Sequence, residues 1–130
     1  MIDHNTYDKD NEVNYINYDH AELNSELLEY YKGLIELRKS FESFRRARYE
    51  DVTFYIIDDN PFAIGYAVNY NSESFIVLMN ANNNMDEEFI LPEGEWDILV
   101  DPDRAGVIPT GSIKERIIVE ASAGYVLKRK

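Results

Sequence analysis

The hydrophobic period of this chain changes once, and that change limits what it can fold into. From Asp19 to about Phe44 the apolar residues recur at three- and four-residue steps. Leu27, Tyr31, Leu34, Leu37 or Arg38, and Phe41 form a stripe, widened by Leu28, Ile35 and Phe44. That spacing predicts one long amphipathic helix. Asp19 with Glu22 three residues on has the form of a capping box. After Arg45-Arg46 the period becomes two, and the chain reads as strands to its end. A helix with one apolar face must bury it. Here it can lie only on the strands or on something outside the chain, which points to a fragment or a truncated protein. Gly33 in the helix interior costs about 1 kcal/mol relative to Ala, so it predicts a neighbour packed closely against it.

The strands follow from period and turn chemistry. Val52–Ile57, Ala63–Tyr70, Phe75–Asn80, Glu88–Leu91, Trp96–Val100, Ile113–Glu120 and Tyr125–Arg129 are short runs rich in β-branched and aromatic residues. Turns fall at Asp58-Asp59-Asn60-Pro61, Asn71-Ser72 and Pro92-Glu93-Gly94-Glu95, and Asp101–Gly111 is a long connection. About seven strands with regular turns predict a mainly β fold, an antiparallel, Greek-key-like β-sandwich preceded by the long helix. Residues 1–18 read as a polar and aromatic loop. The domain division expected is 1–46 and 47–130.

Charge and composition narrow the function. The chain of 130 residues has 25 acidic and 13 basic side chains, a net charge of −12. Residues 1–46 hold ten acidic and six basic groups and residues 47–130 hold fifteen and seven, so both parts are acidic. This argues against nucleic acid or an anionic membrane as partner. A neutral polymer is compatible. Absence of Cys excludes disulfides and thiolate metal sites. No apolar run approaches the roughly 20 residues that span a bilayer, and Met1-Ile2-Asp3-His4 is too polar for a signal peptide. None of this fixes a compartment.

Three regions carry a resemblance. Tyr30-Tyr31-Lys32-Gly33-Leu34-Ile35-Glu36-Leu37-Arg38-Lys39-Ser40 resembles the last barrel helix of pullulanases and isoamylases, debranching enzymes of the α-amylase clan. Asp10-Asn11-Glu12-Val13-Asn14-Tyr15-Ile16-Asn17-Tyr18 resembles the stretch after their last barrel strands. Ile76–Asn80, Leu91-Pro92-Glu93-Gly94-Glu95-Trp96-Asp97-Ile98-Leu99 and Ala123-Gly124-Tyr125-Val126-Leu127 resemble their C-terminal β-domain. Phe41-Glu42 stands where pullulanases usually have His-Pro, and Tyr18 where these enzymes often have Trp. The resemblance implies the end of a catalytic (β/α)8 barrel followed by its C-terminal domain. The implied partners are the barrel of the same parent chain and, through the parent, an α-glucan. No cofactor is implied.

Glycoside hydrolysis needs two carboxyl groups flanking the scissile bond, about 5–5.5 Å apart in retaining enzymes. The resemblance places the clan's carboxylates on earlier barrel strands, so no catalytic residue is assigned here. It implies substrate contact at Asp10, on a loop near bound sugar, and at Asn14, where many clan members carry Arg. The plain alternative is an Asx-turn at Asp10-Asn11. Trp96, Tyr55, Tyr66 and Tyr70 could stack on sugars, but strand aromatics more often pack in cores. Trp96, Ile98 and Val100 alternate and are expected to share the inner face. Asp58-Asp59 and Asp101-Pro102-Asp103 could attract calcium, yet neither fits the twelve-residue calcium loop. His4 and His20 are too isolated for a metal site. The function expected is a non-catalytic C-terminal domain that stabilises the barrel of an α-1,6-glucan hydrolase. The alternatives are a stand-alone carbohydrate-binding sandwich and a structural domain with no glucan role. In isolation, the exposed helix face would favour self-association.

Overall fold

A computed structural model describes residues 17–56 and 59–130. Among these, the helical segment is α1 (Asp19–Leu23), α2 (Ser25–Ser40) and α3 (Ser43–Arg46), followed by a 3-10 turn at Tyr49–Asp51. The single long helix expected from periodicity is therefore interrupted twice. At Asn24 the backbone leaves the helical region (φ −120, ψ 42), and both its N–H and its side-chain amide donate to the His20 carbonyl. A side chain that competes for backbone acceptors is the usual reason Asn breaks a helix. The second break follows from packing. Phe41 adopts an extended backbone, and its ring and that of Phe44 tilt onto Phe75, with centroids 5.0 and 4.7 Å away. The expected N-cap also moves: Asp19 lies inside α1, and its N–H donates to the Asn17 side chain at 3.0 Å.

The strands are β1 (Val52–Ile56), β2 (Ala63–Tyr70), β3 (Glu73–Asn80), β4 (Glu87–Ile90), β5 (Trp96–Val100), β6 (Gly111–Ile113), β7 (Arg116–Val119) and β8 (Ala123–Arg129). They form a six-stranded antiparallel sheet ordered β1-β2-β3-β8-β5-β6 and a two-stranded ribbon, β4-β7. The β2–β3 hairpin turns through Asn71 and Ser72, both at positive φ, as a tight two-residue turn requires. The fold class read from the sequence is the one present, with few helices and an uneven sandwich of six strands over two.

Two strand expectations are corrected. Ile113–Glu120 is not one strand. Glu115 takes φ 66, the Arg116 N–H donates to the Lys114 carbonyl at 2.7 Å, and this three-residue turn carries the chain from the large sheet into the ribbon. Val100 does not share a face with Trp96 and Ile98. The β5–β8 register shifts between Ile98 and Val100. Such a bulge turns the following side chains over.

The large sheet is covered on both faces. Against the ribbon pack Ala67, Ile76, Leu78, Phe89, Leu91, Trp96, Ile117, Val119 and Leu127. Against the helices pack Leu37, Val68, Phe75, Val77, Leu99, Val100 and Val126, with Tyr30, Leu34, Phe41 and Phe44 part-buried beside them. β3 feeds both cores, Phe75 and Val77 on one side and Ile76 and Leu78 on the other. A strand buried on both faces reads as a continuous apolar run, as Phe75–Leu78 does. Buried polar groups are satisfied. The Asn80 amide donates to the carbonyls of Met85, Val119 and Glu120, and the Ser43 N–H and hydroxyl donate to the Glu73 carboxylate, tying α3 to β3.

Candidate functional site

α2 has two apolar faces, and only one is used. On the packed face, Gly33 meets the loop after β5 so closely that an added Cβ would lie 1.9 Å from the Ala105 carbonyl oxygen. This is the close neighbour that an interior Gly predicts. One turn earlier, the Tyr30 hydroxyl donates to the Asp101 carbonyl at 2.8 Å. Burial, and then the nearby Asp101 charge, raise the Tyr30 pKa, so its phenol keeps this proton. Leu37 is buried. The second face carries Leu27, Tyr31 and Ile35, four residues apart and so in one line. They are 56%, 59% and 58% exposed, with Leu28 beside them. Arg38 continues this line, and its guanidinium donates to the Phe44 carbonyl of α3, which packs on β2 and β3. At its N-terminal end the line borders the loop after β5, where Leu27 lines a concavity with Tyr30, Pro102 and Asp103.

Concavities lie on both sides of the large sheet. A groove of about 670 Å³ runs between α2 and the loop; its walls include Glu26, Glu29, Glu36, Asp103, Lys32 and Arg104, with Lys32 paired to Glu29 at 2.6 Å. A smaller cleft of about 260 Å³ opens between β1, β3 and β4, lined by Tyr55, Ile76, Leu78 and Phe89.

The residues singled out from the sequence scatter over the molecule. Asp10, Asn14, His4 and Asp58 lie outside the described residues. Trp96 is buried at 2% exposure, its indole N–H donates to the Pro92 carbonyl at 3.1 Å, and Arg129 lies over its ring. It is a core residue. Tyr66 is half-buried on the helix side, where burial raises its pKa, and Tyr70 is half-buried too. The Asp101 carboxylate accepts from the N–H groups of Asp103 and Arg104 and from the Thr110 hydroxyl, an Asx-turn. His20 is exposed on α1. Among the described residues, no three His, Asp or Glu side chains converge as a metal site would require.

Sequence reasoning missed the exposed apolar side chains of the sheet. Phe54 and Met79 are 52% and 42% exposed, and Ile64 is exposed beside them. The signal was present. Val52-Thr53-Phe54-Tyr55-Ile56 and Ala63–Val68 carry apolar residues at both parities, the pattern of strands covered on both faces.

No family model matches the sequence. The fold does match solved structures. The pullulanase from Bacillus acidopullulyticus aligns with a TM-score of 0.78 at 22% identity, over 90% of this chain and 15% of that one. The type I pullulanase from Bacillus subtilis, complexed with maltose, gives 0.75 at 23%, over 90% of this chain and 17% of that one. A trehalulose synthase from Pseudomonas mesoacidophila gives 0.63 at 17%, over 88% of this chain and 20% of that one. At these identities the likeness is one of fold. The chain spans about a sixth of the length of the pullulanases it matches.

Proposed function

We propose that this chain is the non-catalytic C-terminal region of a glycoside hydrolase acting on α-1,6 branches of starch, glycogen or pullulan, and that it stabilises that enzyme's barrel. Residues 1–46 would be the last barrel loop and helix, and residues 47–130 the C-terminal β-domain. One observation carries the reading: α2 buries one apolar face on the sheet and leaves Leu27, Tyr31 and Ile35 exposed on the other. A helix apolar on both faces belongs between two bodies. The second body here is the barrel. The fold likeness to about a sixth of several pullulanases supports it, since those chains are long enough to supply one. Asp10 and Asn14 keep their implied role as sugar contacts in the intact enzyme.

In this reading the 130-residue chain has no glycosidase activity of its own. The test is release of reducing ends from pullulan by the purified chain, set beside a mock preparation and beside the product of the complete reading frame that encodes residues 1–130. The proposal expects release from the complete product alone. Release by the isolated chain, or a complete frame without a barrel, would overturn it. A stand-alone carbohydrate-binding module has less support, because Trp96 is enclosed and Tyr66 and Tyr70 are half-buried.

A further inference from the structure

We propose that the end of α2 that meets the loop after β5 is a docking notch for a cationic side chain, a Lys or Arg carried by the element of the longer chain that covers the exposed α2 line. The inference rests on the reading of this chain as part of a longer enzyme. The notch has a volume of about 320 Å³. Its walls are Leu27 and Tyr30 of α2, Pro102 of the loop, and the carboxyl-bearing Glu26 and Asp103. Leu27 belongs both to the notch and to the exposed line of Leu27, Tyr31 and Ile35, so the notch is one end of that line. Both of its sides are held in place. The Tyr30 hydroxyl donates to the Asp101 carbonyl, and Gly33 lets α2 approach the Ala105 carbonyl. The Asp101 carboxylate accepts from the N–H groups of Asp103 and Arg104. The mouth therefore lies between one helix turn and one Asx-turn.

An apolar floor between two carboxylates suits a long basic side chain. Lys and Arg lay an apolar stem along such a surface and keep the charged head at its polar rim. Glu26 comes from the helix and Asp103 from the loop. Both are exposed, and among the described residues neither makes an ion pair. No basic group stands among the notch walls. With the adjoining groove included, the walls hold Glu26, Glu29, Glu36 and Asp103 against Lys32 and Arg104, so the acidic excess remains. Lys32 is already paired with Glu29 at 2.6 Å. Tyr125 senses the same field: burial and Glu120 push its pKa up to about 12, and the charges of Asp101 and Asp103 add to the rise.

Charge chooses between occupants. A two-fold dimer uses the same surface on both subunits, so it would set this acidic end against itself. Like charges facing each other oppose association. A metal ion fits no better, because among the described residues no group of three His, Asp or Glu side chains gathers here. An element of the longer chain that brings a Lys or Arg beside its apolar face satisfies both the floor and the carboxylates. The matched pullulanases are long enough to contain one.

Carboxyl footprinting tests this: glycine ethyl ester is coupled by a carbodiimide and read by mass spectrometry, on the 130-residue chain and on the product of the complete reading frame. Labelling of Glu26 and Asp103 should fall several-fold in the complete protein. Glu88 and Glu93, exposed on the ribbon side, should label equally in both. In the complete protein, Glu26→Gln with Asp103→Asn should lower the melting temperature by several degrees. Charge reversal, Glu26→Lys with Asp103→Lys, should lower it further, since the covering cation is then repelled. Both pairs should leave the thermal melt of the 130-residue chain unchanged, because exposed substitutions are nearly neutral. A barrel-bearing protein in which Glu26 and Asp103 label as in isolation overturns this inference and leaves the proposed function standing. Protection together with a melt indifferent to both pairs overturns the cationic occupant. Protection that grows with concentration in the isolated chain would identify a second copy, and also overturns it. A complete frame without a barrel fails the functional reading and this inference together.

Discussion

Single residues fix how the helix meets the sheet. Gly33→Ala would normally stabilise a helix by about 1 kcal/mol. Here the new methyl would meet the Ala105 carbonyl at 1.9 Å, a backbone atom that cannot step aside cheaply. Overpacking of this kind costs about 1–3 kcal/mol, so the clash outweighs the propensity gain. Urea unfolding should place the variant below the parent; equal midpoints would mean that α2 is not seated on the loop. Trp96→Ala removes a buried ring and should cost about 3–5 kcal/mol, read as a large fall in melting temperature. A variant that melted like the parent and lost only a maltooligosaccharide-induced shift would favour the binding-module reading.

Tyr125 extends the residue-scale account to pH. Burial, then the Glu120 carboxylate that accepts from its hydroxyl at 2.9 Å, push its pKa from the ordinary 10.0 up to about 12. A folded pKa above the unfolded one gives stability that is complete below pH 10 and lost as pH rises toward 12. Tyr30 and Tyr66 are raised as well and act in the same sense. Denaturation midpoints between pH 9 and 12 should fall with pH, and less steeply in Tyr125→Phe. A slope unchanged by that substitution would remove Tyr125 from the cause.

At the scale of elements, the legible features are those with a local cause. Ala63–Tyr70 and Trp96–Val100 have the predicted ends because Asn71-Ser72 and the Pro92–Glu95 turn bound them with recognisable chemistry. The features that were not legible depend on contacts far away in sequence. Phe41 leaves the helix to reach Phe75 on β3. The β5 bulge that turns Val100 over has no signature in Trp96–Val100 itself. Glu115 is the sharpest case, because alternation in Ile113–Glu120 continues through a residue at positive φ where the chain changes sheets. A β-branched residue there is strained by about 1–3 kcal/mol. Glu115→Ile should therefore destabilise the fold by about that much, although it would raise strand propensity. A neutral or stabilising result in thermal unfolding would argue against the sheet crossing. The expected sugar contacts, Asp10 and Asn14, rest on family resemblance alone and lie outside the described residues. The helical stripe was evident from spacing, whereas the exposed apolar face of β1 and β2 needed the register.

At the scale of the whole molecule, one sheet serves two cores, and the helix that seals the second core leaves an apolar face open. On the proposed reading, that face packs against a barrel. The complete reading frame carrying Leu27→Glu, Tyr31→Glu and Ile35→Glu tests this most directly, with the same triple change in the 130-residue chain as control. Three carboxylates in a desolvated interface carry a large penalty, whereas in water they carry almost none. The account predicts that the complete protein loses most of its pullulan hydrolysis, while the 130-residue chain keeps its melting temperature. Undiminished hydrolysis by the complete triple variant would contradict it.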